Sequence, residues 1–220
     1  MVRPRPLGQA TINGGTVLSR KIFDKLTSAG GMVAVVVLLV AGGLLTWGHS
    51  FVNSNVHNHL AQQQIFFPAK AAWAHAKPGT EITPAMIPYL EKYSGQQLLT
   101  GQQAEAYADH FIKIHLSEMP YGGVYSKISA AAIAAPNNKT LTALKQTSFQ
   151  GTTLRGLLLE AYAFATIGQV MLWGAIASFI LALAMAVLVG LGLLHARRTD
   201  PAVEMVPSKK VRAGAITPAT

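Results

Sequence analysis

Residues 149–198 read FQGTTLRGLLLEAYAFATIGQVMLWGAIASFILALAMAVLVGLGLLHARR, and this stretch decides the fold of the chain. Its second half is a continuous apolar run that ends abruptly at two basic residues, Arg197 and Arg198. About 20 apolar residues in a helix suffice to cross the hydrocarbon core of a bilayer. The run therefore predicts a transmembrane helix over residues 171–194, with Trp173 at the outer interface, where tryptophan is favoured.

A second apolar run, residues 28–48, lies near the start of the chain and predicts another transmembrane helix. A cleavable signal peptide is the alternative. The run is longer than a signal-peptide core, and no A-x-A cleavage site follows it closely, so an uncleaved anchor is favoured. Trp47 falls at its outer end, and the two tryptophans, Trp47 and Trp173, thus agree on one membrane boundary.

Charge is scarce and unevenly placed. Only 12% of the 220 residues are charged, against about a quarter in a typical soluble domain. The formal net charge of +9 is concentrated in a basic arm, residues 1–27, and a basic tail, residues 195–220, whereas residues 49–170 are close to neutral. Because basic residues beside apolar segments stay in the cytoplasm, both termini are predicted to be cytoplasmic and the middle extracytoplasmic. This topology, with attraction to anionic lipid, explains the charge better than nucleic-acid binding does.

The chain between the two spans predicts helices only, because it contains no run of alternating β-branched residues and no Asn-Gly hairpin between apolar runs. The first span is expected to continue outward as a helix until Pro68 stops it. From Thr140, a helical pattern is expected to run without interruption into the second span. The predicted fold is therefore all-α: two transmembrane helices with outward helical extensions and a small helical extracytoplasmic domain.

One helix of this domain carries its own start signal, because Thr100 and Gln103 match the capping box. One face of that helix carries three apolar residues: Tyr107, Phe111 and Ile114. On another face, Asp109 and Lys113 are four residues apart and are expected to form an ion pair. Residues 119–123, MPYGG, are predicted to break the helix.

The outward part of the second long helix is apolar although it lies beyond the predicted membrane boundary. Its apolar residues are expected to be covered by the other extracytoplasmic helices: Leu157, Leu158, Leu159, Tyr162 and Phe164. Arg155 and Glu160 lie in the same part, near the lipid headgroups, and are candidates for contact with a lipid phosphate or a partner. The favoured interpretation is structural and pairs Arg155 and Glu160 with residues of the first helix's extension: Gln62, Gln63 or Gln64.

Small residues recur every four positions in the second span: Gly174, Ser178, Ala182, Ala186 and Gly190. Small residues in register let helix backbones approach closely. The stripe therefore predicts a helix-packing contact, either between the two spans or between protomers. Chance recurrence in an alanine-rich segment is the alternative.

Histidine is the residue type most suited to chemistry in this chain, which has no cysteine and hence no disulfide, Fe–S cluster or cysteine zinc site. His57 and His59 form an H-x-H pair, but on a helix they point about 200° apart, so one face does not present both. No HExxH motif, catalytic serine motif or phosphate-binding loop is present. The two histidines are weak metal candidates, and the sequence predicts neither a catalytic residue nor a cofactor.

Four segments carry a resemblance to a known family: QQQIFFP (62–68), YSGQQ (93–97), AYADHFI (106–112) and FQGTTLRGLLL (149–159). They resemble a family of actinobacterial two-span membrane proteins. The resemblance covers most of the chain, residues 28–198, and implies a bacterial plasma membrane but no established activity. Some relatives are labelled aromatic ring-opening dioxygenases, but non-haem iron needs a set of His and carboxylate ligands that this sequence does not assemble.

These observations predict an integral membrane protein of the bacterial cell envelope. It is expected to be non-enzymatic and to act through lipid, through an envelope protein partner or through association with its own copies. The alternative is a membrane-anchored, metal-dependent enzyme that uses the extracytoplasmic histidines. A sensor ranks last, because the tails contain no domain that would receive a signal.

Overall fold

The structure, a computed structural model, describes residues 20–198; residues 1–19 of the predicted basic arm (1–27) and residues 199–220 of the predicted basic tail (195–220) lie outside the described residues. Two long helices enclose five short ones along the chain: α1 (Arg20–Gln63), α2 (Lys70–Trp73), α3 (Ile87–Leu90), α4 (Gly101–Tyr107), α5 (Lys113–Glu118), α6 (Tyr125–Ala134) and α7 (Lys139–Arg198). Over the described range there is no strand, only an isolated bridge between Phe66 and Gln97. The all-α prediction is confirmed.

Both long helices contain a segment that is long and apolar enough to cross a membrane. A span needs about 20 residues, whereas α1 has 44 and α7 has 60, so each helix extends well beyond its apolar segment. α7 runs without interruption from Lys139, as predicted. α1 ends at Gln63 rather than at Pro68, because Gln64 adopts a left-handed conformation (φ 51°) that turns the chain earlier.

The chain divides into two compact units, the first made of residues 1–39 and 179–220 and the second of residues 40–178. In the described part of the first unit, α1 and α7 pack closely because each helix places a glycine against a side chain of the other helix. A Cβ added at Gly31 would lie 2.5 Å from Cγ2 of Val189, and one at Gly192 would lie 3.2 Å from Oγ of Ser28. Small residues thus permit the close approach of the two helices here.

The small-residue stripe predicted on α7 comprises Gly174, Ser178, Ala182, Ala186 and Gly190. Its members differ in environment: Ala182 is buried, whereas Ala186 and Gly190 are exposed. Four residues turn a helix by about 400°, so such a stripe drifts by about 40° at each step. The buried residues Ala175, Ala182 and Val189 instead recur every seven residues, the spacing of a coiled-coil seam. A role of the stripe between protomers stays a prediction.

The second unit contains the C-terminal part of α1, from residue 40, and the N-terminal part of α7, up to residue 178. These outer parts of the two helices are again antiparallel neighbours. A Cβ at Gly48 would lie 3.0 Å from Sδ of Met171, and one at Gly174 would lie 3.3 Å from Cδ1 of Leu45. The short helices pack against this pair around a core of buried side chains: Val56, Leu60, Phe67, Trp73, Met86, Leu90, Leu98, Ala104, Ala106, Ala108, Ile112 and Leu158. The unit therefore has one core, built on the outer ends of the two long helices.

α4 begins at the predicted capping box. The Oγ1 of Thr100 accepts a bond from the backbone N–H of Gln103 (3.3 Å), and the Gln103 side chain accepts one from the backbone N–H of Thr100 (3.0 Å). A π-helical turn, Ala108–Ile112, joins α4 to α5, and the three residues of the predicted apolar face pack against the core: Tyr107, Phe111 and Ile114.

Residues 119–123 break the helix, as predicted, with a 3₁₀ turn over Pro120–Gly123. Three successive residues, Tyr121, Gly122 and Gly123, have φ values of 60–68°. The turn is held against α7 by Ser148, a fully buried residue whose hydroxyl donates to the Gly123 carbonyl (2.7 Å). A left-handed backbone of this kind strongly favours glycine.

Candidate functional site

Arg155 of α7 forms an ion pair with Asp109 of the π-helical turn. Its Nη2 and Nε lie 2.6 and 3.2 Å from Oδ1 of Asp109, and the two side chains are 31% and 28% exposed. The predicted pairing of Arg155 with Gln62, Gln63 or Gln64 is therefore wrong. So is the predicted pair of Asp109 with Lys113. In the π turn, the Lys113 N–H bonds to the carbonyl of Ala108, five residues back, so the simple four-residue neighbour rule no longer applies.

His57 and His59 are both exposed on α1, and only His59 lines the groove described below. Within the described residues, no group of three His, Asp or Glu side chains lies close enough to hold a metal ion. The metal-dependent alternative thus stays a prediction without a ligand set in the described part of the chain.

Three other histidines make structural contacts. His49 donates from Nδ1 to the carbonyl of Gly168 (2.8 Å), and His115 donates from Nδ1 to the carbonyl of Phe111 (2.8 Å). The His110 ring stacks flat on Tyr89, with ring centroids 3.5 Å apart. His49 and His110 join separate elements, whereas the His115 bond is local to its own helical segment, and the three histidines are not gathered at one place.

The outer parts of α1 and α7 form an open groove of about 470 Å³, wholly within the second unit. Its floor is made of buried aliphatic side chains: Val56, Leu60 and Leu158. Its walls carry three large apolar side chains that are about half exposed: Phe51 (56%), Leu157 (58%) and Phe164 (49%). Pockets for small ligands in proteins are typically about 300–1,000 Å³ and mostly apolar, so the groove has the size and lining of a ligand site.

The groove and the short helices occupy opposite flanks of α7. A Cβ at Gly101, the first residue of α4, would lie only 2.3 Å from Cβ of Ala165 and 3.3 Å from Cα of Tyr162. At 100° per residue, Tyr162 and Arg155 fall on one side of the line that faces α1, and Leu157 and Phe164 fall on the other. The short helices therefore cover one flank and leave the groove open on the other.

The expectation that the extracytoplasmic helices cover all five apolar residues of outer α7 is thus wrong in part. Leu158 is buried and Leu159 is half-buried against the core. Leu157 and Phe164 stay exposed because they lie on the flank that the short helices do not reach. The apolar run above the predicted membrane boundary was the available sequence signal for this groove.

Within the described residues, the groove carries two titratable side chains, His59 of α1 and Glu160 of α7. Gly48 lies beside Met171, and the two helices are antiparallel with the same rise of 1.5 Å per residue. Counting eleven residues along each helix, from 48 to 59 and from 171 back to 160, brings these two side chains to one level. Both line the groove, and within the described chain they form no ion pair with each other. An acidic and a basic side chain thus flank open space at one height.

The end of the groove that is nearer the predicted transmembrane segments continues into further exposed apolar surface. Phe51 stacks on Trp47, with ring centroids 5.6 Å apart, and Ile167 is exposed one turn below Phe164. Trp47 is one of the two tryptophans predicted at the membrane boundary. The groove therefore leads toward that boundary.

Tyr107, on the covered flank, has a shifted pKa. Burial raises the pKa of Tyr107 above its usual value of 10.0, and the nearby Glu81 carboxylate raises it further. Its ring packs edge-on against Phe67 and stacks on Phe111. The shift reflects a packed aromatic core.

Comparisons with protein-family models, with curated proteins and with solved structures found no match to this chain.

Proposed function

We propose that the chain is a two-pass membrane protein of the bacterial plasma membrane that binds an acyl chain of a membrane lipid in the groove. In this proposal it is non-enzymatic, both termini are cytoplasmic, and the short helices are extracytoplasmic. The observation that carries the proposal is the groove itself: half-exposed Phe51, Leu157 and Phe164 outside the predicted spans, over an apolar floor.

Energetics support a filled groove. Complete burial of a leucine or phenylalanine side chain stabilises by about 1.5–3 kcal/mol, so covering three half-exposed ones contributes roughly 2–4 kcal/mol. Contiguous apolar surface of this kind marks interaction sites on proteins. An acyl chain is favoured as the occupant because the groove leads to exposed Trp47 and Ile167, next to the predicted bilayer surface.

The topology rests on charge and length. Two helices have apolar segments that could span a membrane, and most of the net positive charge of the chain lies at its two ends. Basic flanks stay cytoplasmic, which places the loops between the helices outside. The resemblance to actinobacterial two-span membrane proteins supports the assignment to a bacterial plasma membrane.

A photocrosslinking experiment tests the lipid proposal. A benzophenone amino acid is placed at Phe164, which lines the groove, or at Ala163, its exposed neighbour that does not. After irradiation of native membranes, mass spectrometry is expected to find lipid adducts several-fold more often at position 164. Equal lipid labelling at both sites would place this segment in the bilayer and overturn the groove as the site. Crosslinks from position 164 to a second copy or another protein, or no adduct at all, would overturn the lipid as occupant.

The absence of cysteine allows a direct test of topology. Single cysteines are introduced as Lys127→Cys in α6 and Thr220→Cys at the end of the chain. A membrane-impermeant maleimide is expected to label the first in intact cells and the second only after permeabilisation. Labelling of Thr220→Cys in intact cells would overturn the proposed orientation.

A further inference from the structure

We infer that the lipid bound in the groove has a zwitterionic headgroup, with its ammonium group against Glu160 and its phosphate against His59. The inference rests on the proposed function and adds the class of lipid to it. It follows from the two titratable side chains that line the apolar groove, Glu160 of α7 and His59 of α1, which lie at one level on opposite helices.

Each side chain offers a distinct bond. The Glu160 carboxylate only accepts hydrogen bonds, which an ammonium group donates with charge assistance. The His59 ring donates at least one N–H in either protonation state, which suits a phosphate oxygen. Because the two side chains lie level on opposite helices without pairing, a dipolar group that reaches from one to the other satisfies both.

The same pair selects against an anionic lipid. A headgroup with a phosphate and only hydroxyl groups brings net negative charge beside the Glu160 carboxylate and supplies no cation to offset it. The two amide side chains of the groove, Asn55 and Gln63, do not change this balance because they carry no charge. Glu160 is therefore the residue that decides headgroup preference.

The acyl chain is placed toward the membrane. Below the level of His59 and Glu160 the groove is walled by Phe51 and Phe164 and leads to Trp47. A lipid with its headgroup at Glu160 and His59 has the same orientation as in the outer leaflet, headgroup outward and chains inward. Its headgroup, rather than its acyl chain, then covers Leu157, which lies three residues above Glu160 on α7. The bound headgroup lies farther out than the predicted membrane boundary at Trp47, because His59 is twelve residues from Trp47, or about 18 Å along the helix.

The test uses two photoreactive lipids with identical diazirine acyl chains, phosphatidylethanolamine and phosphatidylglycerol. The full-length protein is reconstituted in nanodiscs with either lipid as a minor component, irradiated and digested, and adducts on the groove segments of α1 and α7 are quantified. Wild type is expected to give about tenfold more phosphatidylethanolamine adduct, the ratio expected from one charge-assisted bond. Glu160→Gln is expected to remove this preference, and Glu160→Lys to reverse it. Glu118→Gln, an exposed acid outside the groove, serves as the control and keeps the wild-type ratio.

The outcomes separate the two proposals. Equal labelling of the groove by both lipids in wild type, or a preference that survives Glu160→Gln, overturns the headgroup inference and leaves the lipid groove standing. Absence of groove adducts with either lipid overturns the proposed function and the headgroup inference with it. Thermal unfolding of each variant verifies that folding is retained, which is expected because Glu160 is exposed.

Discussion

Leu157 and Leu158 are adjacent leucines on α7, yet one is 58% exposed and the other 2%. They mark the two flanks of the same helix: a covered flank, where the short helices pack, and an open flank, which carries the groove. Both flanks are apolar, so hydrophobicity alone does not distinguish them. The difference shows that the short helices cover only part of the apolar surface that α1 and α7 offer and leave the remainder exposed.

The contributions of the two flanks to stability are best compared by unfolding the second unit. Trp73 is buried in its core and donates from Nε1 to the Ser94 hydroxyl (2.7 Å), so its fluorescence reports on this unit. The other two tryptophans, Trp47 and Trp173, are exposed and are replaced by phenylalanine in the reference protein. Full-length protein in detergent micelles is used throughout.

The largest effect is expected on the covered flank at the turn that Ser148 holds. Gly123→Ala adds a Cβ only 2.1 Å from the Leu116 carbonyl oxygen at a residue with φ 68°, so it combines backbone strain with a clash. We expect a loss of about 4 kcal/mol in the free energy of unfolding. Gly122→Ala has a similar φ of 64° but open space around the added atom, so it measures strain alone, about 1–2 kcal/mol. Equal losses for both variants would contradict the close packing of this turn.

The two adjacent leucines give the next largest contrast. Leu158→Ala removes a fully packed side chain and is expected to cost about 3 kcal/mol, because a cavity remains in the core. Leu157→Ala is expected to cost under about 0.5 kcal/mol without lipid, since its side chain makes few contacts on the open flank. Denaturant titration of both variants measures the difference. A loss at Leu157 as large as that at Leu158 would mean that the open flank is covered.

The ion pair across the covered flank is expected to matter less. Arg155→Met and Asp109→Asn should each cost about 1–2 kcal/mol, a value reduced by the partial exposure of both side chains. The double variant should lose less than the two single losses combined, because the residues interact directly. Lys113→Met is the control and is expected to change stability by under about 0.5 kcal/mol. Additive losses would show that Arg155 and Asp109 do not interact in solution.

The smallest effect is expected at alkaline pH, from Tyr107. Because the pKa of Tyr107 is raised in the folded state, the unfolded chain loses this proton first as pH rises. The stabilisation is therefore complete below about pH 10 and decreases as pH rises through the folded-state pKa. Tyr107→Phe is expected to lose less stability between about pH 8 and pH 11 than wild type in denaturant titrations. Tyr125→Phe, which leaves Tyr107 in place, should follow wild type, and an unchanged slope in Tyr107→Phe would contradict the shift.

Features encoded by neighbouring residues were predictable. The capping box at Thr100 works within three residues, and the start of α7 follows from a helical period that needs no partner. The stripe of small residues illustrates the limit of such reasoning. Its four-residue recurrence is visible in the sequence, but the seam follows a seven-residue spacing that depends on how two helices pack.

The candidate site was less accessible to prediction because its parts lie far apart in the chain. Arg155 and Asp109 are 46 residues apart, and a π-helical turn directs the pairing. His59 and Glu160 are separated by about half the chain, and only the antiparallel register of α1 and α7 sets them level. Both residues were candidates from the sequence, but no sequence pattern indicates that they lie at the same level of one groove.

The sequence by itself determined that the fold is all-α, with two long helices whose apolar segments could span a membrane, because helix period and apolar length are local properties of the chain. Only the tertiary structure decided which apolar flank of α7 is covered and which is open. The physical reason is that coverage depends on where the short helices pack, and that placement is fixed by long-range contacts such as Gly101 against Ala165 and Ser148 with Gly123.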